Sequence, residues 1–175
     1  MKNKLIFILI GTVIFGCNSN TVTNTEHITQ KIFIPIDTTP RVIGIGGIFF
    51  ISENPAETKV WYENNLGMIT DDYGSVFEFR NAKNPNEINY LRWSIFQNNS
   101  DYFSPSKKSF MINYRVQNIR GLITKLQKNG ATILDTISTY EYGKFVHLLD
   151  PEGNKIELWE PVDSVLTKIG SKTNK

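Results

Sequence analysis

The sequence predicts an α+β fold made of two βαβββ modules, and three observations support this prediction. Both halves of the chain begin with a β-rich segment that leads into a helix capped by Asn. The helices end at Gly67 and Gly130, which lie 63 residues apart, and three short β-rich segments follow each of them. An internal repeat on this scale indicates two copies of one supersecondary unit. We place the modules at residues 42–97 and 109–161.

The first module is predicted from its strand and helix signals. Val42–Ser52 is rich in β-branched and aromatic residues and alternates, which is typical of a strand. Asn54 is suited to cap a helix, with Pro55 at its first position and Glu57 three residues after the cap. Gly67 is suited to the left-handed position that ends a helix. Three further strands are predicted at residues 68–72, 75–80 and 89–97.

The second module repeats this order. Phe110–Val116 is predicted as a strand, and Asn118 is suited to cap a helix that runs to Asn129, before the stop at Gly130. Strands are then predicted at residues 132–136, 142–149 and 154–160. The polar residues 98–108 connect the two modules, and Tyr102 and Phe103 within this connection are candidates to cover one edge of a cleft.

The last two strands form a predicted hairpin, FVHLLDPEGNKIELWEP, at Phe145–Pro161. Pro151 presets the first turn position, and Gly153 supplies the positive φ that closes the turn. Counting back along both strands places His147 directly opposite Glu157. Residues that lie opposite each other share a face of the sheet, so an imidazole and a carboxylate are predicted side by side.

The hairpin pattern DPEGNKIEL resembles the closing hairpin of the vicinal oxygen chelate superfamily, which includes glyoxalase I, extradiol dioxygenases and bleomycin-binding proteins. GIGGIFFISENPAETKVWYENNLGM at Gly44–Met68 resembles that superfamily's first strand and helix. FMINYRVQNIRGLITKLQKNGATI at Phe110–Ile133 resembles the opening of its second module. The resemblance covers residues 42–161 and implies a cupped mixed β-sheet around a cleft, with the helices outside. Modules pair within one chain or between chains, so a homodimer is compatible with it.

The resemblance also implies which residues face the cleft. Strand order places Glu157 between His147 on one side and the first strand of the second module on the other. Simple alternation puts Gly46, Ile48 and Phe50 in the cleft, and Gly47, Phe49 and Ile51 under the helix. The facing of Tyr90 and Trp93 is left open by one register step. The predicted ligand-binding residues are Phe50, Trp93, Met111, Asn113, Arg115 and Trp159.

The metal enzymes of this superfamily take one His, Glu or Gln ligand from the first and last strand of each module. The matching positions here are Gly46, a residue near Trp93–Ile95, Met111 and Glu157. Glycine has no side chain, and a thioether is a poor ligand for a hard divalent ion. One carboxylate does not hold zinc or iron, which need three or four protein donors. No cofactor is expected, a divalent metal is disfavoured, and Glu157 is its sole predicted ligand.

Glu157 and His147 are the candidate catalytic pair, because a carboxylate beside an imidazole can transfer protons. Arg115 is predicted to compensate the charge of Glu157. The alternative is that these three side chains form a polar network that only holds the strands in register.

The sequence favours binding of a small organic molecule in the cleft without a standard metal site. The alternative functions are a glyoxalase-like lyase or isomerase, or a metal-free acid–base enzyme that uses Glu157.

The N-terminus predicts export. Lys2 and Lys4 precede an apolar run, Leu5–Phe15, which is shorter than the roughly 20 residues of a membrane span. Residues 1–16 resemble a bacterial lipoprotein signal peptide, with Ile14–Cys17 as the lipobox. Lipidation at Cys17 would anchor the protein to a membrane of the bacterial cell envelope, on an extracytoplasmic face. A short membrane anchor, or a secretory signal with an incidental cysteine, are the alternatives.

The remaining segments are polar, and the charge is balanced. Residues 17–41 are predicted as a lipidated, flexible tether, and residues 162–175 as a polar C-terminal tail. Lys2 and Lys4 account for the formal charge of +2, because the rest of the chain has as many basic as acidic residues. No basic cluster is present to neutralise phosphates, so a nucleic-acid partner is not expected.

Overall fold

The structure is a computed structural model that describes residues 37–170 and 172–175. The predicted signal peptide, Cys17 and most of the predicted tether lie outside the described residues. Among the residues that are described, no helix is both long enough and apolar enough to cross a membrane.

The described residues form a single curled sheet with helices. The first module consists of β1 (Arg41–Ser52), α1 (Pro55–Leu66), β2 (Thr70–Asp71), β3 (Gly74–Arg80) and β4 (Ile88–Gln97). The second consists of β5 (Phe110–Gln117), α2 (Ile119–Lys128), β6 (Thr132–Ile133), β7 (Ser138–Tyr140), β8 (Gly143–Leu149) and β9 (Lys155–Pro161), and α3 (Asp163–Ile169) follows it. The strand order is β2-β3-β4-β1-β5-β9-β8-β6, with β7 paired to β8. Both predicted βαβββ modules are confirmed, and β7 is an addition.

The helix starts and stops lie where the sequence predicts them. The Asn54 side chain accepts a hydrogen bond from the Glu57 backbone N–H at 3.2 Å, which satisfies one free donor of the first turn. Asn118 does the same for α2, accepting from the Gly121 N–H at 3.0 Å. Gly67 ends α1 with a φ of 66°, in the left-handed region that glycine adopts without strain.

The main hydrophobic core lies between α2 and the second half of the sheet. Ile119, Leu122 and Ile123 of α2 pack against Val116, Val146, Leu148 and Leu158 of the strands. Helix α1 is attached more loosely, because none of its side chains is fully buried. It contacts the sheet through Tyr62, whose ring centroid lies 4.7 Å from that of Trp93.

A β-bulge in β1 changes the predicted facing of its side chains. Ile45 pairs with Tyr114 and Gly47 pairs with Asn113, so two steps along β1 match one step along β5. A Cβ atom added at Gly46 would lie 2.8 Å from the Trp159 ring, and one added at Gly47 would lie 2.7 Å from the Phe49 ring. Both consecutive glycines therefore face the cleft, and the alternation after them is inverted.

The predicted cleft positions of Ile48 and Phe50 are therefore wrong. The Phe50 ring contacts the Trp93 ring at 5.3 Å, and Trp93 contacts α1, so Phe50 and Trp93 lie on the helix side of the sheet. Phe49, which was expected under the helix, packs on the cleft side with Met111 and Phe103. Of the two residues on β4 whose facing was open, Tyr90 lines the cleft and Trp93 does not.

The predicted polar tail is instead part of the fold. Residues 163–169 form α3, and the hydroxyls of Thr167 and Tyr90 hydrogen-bond at 2.9 Å. Further on, the Asn174 backbone N–H donates to the Val76 carbonyl at 2.8 Å, and its amide donates to the Ser75 hydroxyl at 2.7 Å. Helix α3 thus closes one side of the cleft, and Asn174 pairs with the backbone of β3.

Candidate ligand-binding site

A cavity of about 580 Å³ lies between the concave face of the sheet and α3. This volume is within the range of small-molecule sites. Most of its wall is aromatic or aliphatic, and Leu166 and Ile169 of α3 form one side. The other lining residues are Gly46, Phe49, Asp71, Tyr73, Val76, Tyr90, Arg92, Asn113, Tyr142, Phe145, Glu157 and Trp159.

Trp159 is the central aromatic residue of the cavity wall. Its ring stacks on Phe145 with 5.8 Å between centroids and 8° between planes. Its indole N–H donates to the Tyr142 carbonyl at 3.2 Å, and the Arg115 guanidinium lies 5.1 Å from its ring centroid. These contacts hold the indole in one orientation within the cavity wall. The prediction that Trp159 faces the cleft is confirmed.

Glu157 is buried in the same wall, with 4% of its surface exposed. Its Oε1 accepts a hydrogen bond from the Asn113 amide at 2.5 Å, and its Oε2 accepts one from the Tyr102 hydroxyl at 2.6 Å. His147 Nε2 lies 2.9 Å from the same Oε2. The predicted cross-strand pair of His147 and Glu157 is confirmed. Charge-assisted hydrogen bonds of this kind stabilise a carboxylate that is removed from water.

His147 connects Glu157 to the surface. Its Nδ1 lies 2.6 Å from a carboxylate oxygen of Asp135, so both ring nitrogens face carboxylates. Burial lowers the pKa of His147, but the hydrogen bonds to Glu157 and Asp135 raise it more, so its pKa lies above the ordinary value. When it is protonated, the ring places a positive charge beside Glu157.

Arg115 does not compensate Glu157, and that prediction is wrong. Its guanidinium donates to the Asp163 carboxylate on α3 and to the Tyr90 carbonyl, the latter at 3.1 Å. In the register of β5 and β9 it lies beside Trp159, two positions beyond Glu157. Gly46 leaves room for its side chain, because a Cβ there would lie 3.0 Å from the Arg115 Cγ. The long side chain therefore passes β1 towards α3.

Tyr102 and Phe103 cover one end of the cleft, as their position in the connection between the modules suggested. Phe103 is 2% exposed and packs with Phe49 and Met111. The Tyr102 ring stacks on Phe96 at 4.9 Å, and Lys155 donates to the Tyr102 carbonyl at 2.6 Å. Burial, followed by the nearby charge of Glu157, raises the pKa of Tyr102, so its hydroxyl remains a donor.

The residues present do not fit the metal centre of the resembling enzymes. The neighbour of Glu157 on β5 is Asn113, whereas Met111 is completely buried in an apolar cluster. The oxygens of Glu157 and the nitrogens of His147 are already engaged in hydrogen bonds. Among the residues that the structure describes, no group of three or more His, Cys, Asp or Glu side chains could hold a metal ion.

The sequence analysis missed several residues of the cavity wall, among them Asp71, Arg92 and Phe145, and it also missed two charge partners outside the wall, Asp135 and Asp163. Asp135 lies in the segment between β6 and β7, and Asp163 lies in the predicted tail. Neither has a local sequence signal, because each meets its partner only through the packing of distant segments. Of the predicted ligand-binding residues, Asn113 and Trp159 line the cavity, whereas Arg115 and Met111 lie behind its wall and Phe50 and Trp93 lie on the other face.

Similarity to solved structures supports the fold. Methylmalonyl-CoA epimerase from Mycobacterium tuberculosis matches with a TM-score of 0.50 and 15% identity, over 75% of this chain and 97% of that chain. Methylmalonyl-CoA epimerase from Streptomyces coelicolor, in complex with 2-nitronate-propionyl-CoA, matches with a TM-score of 0.52 and 10% identity, over 70% of this chain and 99% of that chain. The protein has a glyoxalase-like fold.

A glyoxalase/bleomycin resistance protein/dioxygenase superfamily member from Vibrio splendidus 12B01 is also similar, with a TM-score of 0.43 and 12% identity over 70% of this chain and 99% of that chain. No protein-family model and no curated protein matches the chain. At these identities the similarity establishes the fold, and the function has to be argued from the site itself.

Proposed function

We propose that this glyoxalase-like protein binds a small organic molecule in the cavity between its sheet and α3, without a metal ion. The observation that carries the proposal is the cavity of about 580 Å³, whose wall is largely aromatic or aliphatic. Aromatic side chains supply apolar contact area at low cost in conformational entropy, and a few fixed polar groups orient a ligand.

The environment of Glu157 supports binding over catalysis. Tyr102 and His147 both engage Oε2, and Asn113 engages Oε1. A general base needs a lone pair that is directed at the substrate proton. A carboxylate that already accepts three hydrogen bonds acts first as an anchor that holds β5, β9 and the connection between the modules together.

A metal-free acid–base enzyme is the second candidate, and one observation favours it. Asp135, His147 and Glu157 form a continuous chain of hydrogen-bonded side chains. It begins at Asp135, whose side chain is 46% exposed to solvent, and ends at Glu157 in the cavity wall. Such a chain is able to pass a proton between solvent and a bound molecule. Deuterium uptake from D₂O into a bound carbon acid, present in the wild type and lost in Glu157→Gln, would establish this activity.

We also propose that a lipid on Cys17 attaches the protein to a membrane of the bacterial cell envelope. The charged, then apolar, residues 2–15 and the cysteine that follows Gly16 support this proposal. Two or more acyl chains give stable anchoring, whereas one gives marginal binding.

The binding proposal is tested by filling the cavity. Val76 lines it from β3, so Val76→Trp should reduce binding of small aromatic fragments, measured by ligand-observed NMR, by about tenfold or more. Val60→Trp is the matched control, because Val60 lies on α1 with 51% of its surface exposed and does not line the cavity. Equal loss of binding in both variants, or no loss in Val76→Trp, would contradict the proposal.

A further inference from the structure

We infer that the ligand is an uncharged molecule with an aromatic or other flat ring, and this inference rests on the proposed function. Apart from the tyrosines, three ionisable residues line the cavity: Asp71, Arg92 and Glu157. Asp71 and Arg92 pair with each other, and Glu157 pairs with His147, so the wall offers no unpartnered ionisable group to a ligand.

Arg92 is already paired within the protein. Its two terminal nitrogens donate to the two oxygens of Asp71 at 3.0 and 2.7 Å, and its Nε donates to the Ser94 hydroxyl at 3.3 Å. This is the bidentate geometry in which a guanidinium would otherwise bind the carboxylate or phosphate of a ligand. An anionic ligand at Arg92 would therefore have to displace Asp71.

Glu157 contacts His147 at 2.9 Å, and the same imidazole contacts Asp135 at 2.6 Å. Behind the wall, Arg115 is paired with Asp163. A charged ligand group that enters the cavity gives up water and gains no opposite charge in return from these groups, which disfavours ions of either sign.

Aromatic walls also attract cations, but two rings of this wall already carry a guanidinium of the protein. The Arg92 guanidinium lies 5.8 Å from the Tyr73 ring centroid, and the Arg115 guanidinium lies 5.1 Å from that of Trp159. These two ring faces are therefore not open to a second cation. Burial, followed by the neighbouring Tyr140 and Glu157, raises the pKa of Tyr142, so this lining residue keeps its phenolic proton. Neutral hydrogen-bonding groups and flat rings match this wall.

The test compares three probes of nearly the same shape: 2-naphthamide, 2-naphthoate and 2-naphthylmethylammonium. Isothermal titration at about pH 7 should show 2-naphthamide binding the full-length protein at least about tenfold more tightly than either ion. Comparable affinity for 2-naphthoate or 2-naphthylmethylammonium would overturn the inference and leave the binding proposal intact. Absence of saturable binding by all three probes up to about 1 mM would overturn both.

A variant that removes the carboxylate partner of Arg92 provides a second test. Asp71→Asn keeps an acceptor for the Tyr73 backbone N–H but frees the guanidinium of Arg92. The ratio of 2-naphthoate affinity to 2-naphthamide affinity should rise by about fivefold or more. Glu160→Gln is the matched control, because it frees Lys144 on the helix side of the sheet, where Glu160 also accepts from the Ile119 N–H. An unchanged ratio in Asp71→Asn, or an equal rise in Glu160→Gln, would overturn the inference.

Discussion

The pairing of Glu157 with His147, and not with Arg115, leads to a quantitative prediction. A double-mutant cycle that combines Glu157→Gln with His147→Phe should show strong energetic coupling. The matched cycle of Glu157→Gln with Arg115→Met should show additive effects. Glutamine and phenylalanine keep most of the original side-chain volumes, so the variants change the charge and the hydrogen bonds more than the packing.

The magnitude follows from the contacts of Glu157. Its carboxylate accepts from Asn113 and Tyr102 and pairs with His147. Hydrogen bonds to charged groups contribute about 1.5–3 kcal/mol each, and glutamine keeps an acceptor but loses the charge. We expect Glu157→Gln to lower the free energy of unfolding by about 2–3 kcal/mol, with a coupling to His147 of about 1–2 kcal/mol. The cycle with Arg115 should be additive within about 0.5 kcal/mol.

The coupling should also depend on pH. The pKa of His147 in the folded protein is raised above its ordinary value of about 6.5, because its hydrogen bonds to Glu157 and Asp135 outweigh the effect of burial. A raised folded pKa gives stability that is fully present below the unfolded pKa and is lost as the pH rises through the folded pKa. Urea unfolding at about pH 6 should therefore show a larger coupling than at about pH 9.

Two results would refute this reasoning. Additive effects of Glu157→Gln and His147→Phe at the lower pH would show that the two side chains do not interact in solution. A coupling of Glu157 to Arg115 that exceeds its coupling to His147 would show that Arg115 supplies the compensating charge after all. In either case the described geometry of the cluster would be wrong.

The remaining predictions concern the bulge, the C-terminus and the N-terminus. Gly46→Ala should lower the free energy of unfolding by about 1–3 kcal/mol, because its Cβ would overlap the cavity wall. Gly44→Ala is the control: its Cβ would meet no atom closer than 3.8 Å, so it should change that free energy by less than about 0.5 kcal/mol. Equal effects of the two variants in urea unfolding would contradict the bulge. Deleting residues 163–175 removes Asp163, the carboxylate partner of Arg115, and should lower the melting temperature measured by calorimetry by about 5 °C or more. An unchanged melting temperature would show that these residues are dispensable for stability. Intact-mass analysis of membrane-extracted protein should show a chain that begins at Cys17 and carries added lipid, and a soluble chain with a free thiol would contradict the lipoprotein prediction.

The sequence by itself determined the features that depend on neighbouring residues. The caps at Asn54 and Asn118 and the stop at Gly67 are local, because each satisfies backbone groups of the adjoining helical turn. The register of His147 opposite Glu157 is also local, because a tight turn and a period of two residues set it. These signals are sufficient for two βαβββ modules and for one pair of site residues.

The tertiary structure decided the rest of the site. Because of the bulge at Gly46, Phe49 faces the cleft and Phe50 faces away from it. This register shift depends on how β1 pairs with β5, which lies about 65 residues later in the chain. Strand alternation alone continues without interruption, so it does not reveal this change.

The charge partners were decided in the same way. Arg115 is long enough to pass Glu157, and its choice of Asp163 depends on where α3 packs. Asp135 reaches His147 only because β6, β7 and β8 bring the segment between them over the ring. Electrostatic pairing depends on distance and on exclusion from water, and distant segments acquire both only when the whole sheet has curled around the cavity.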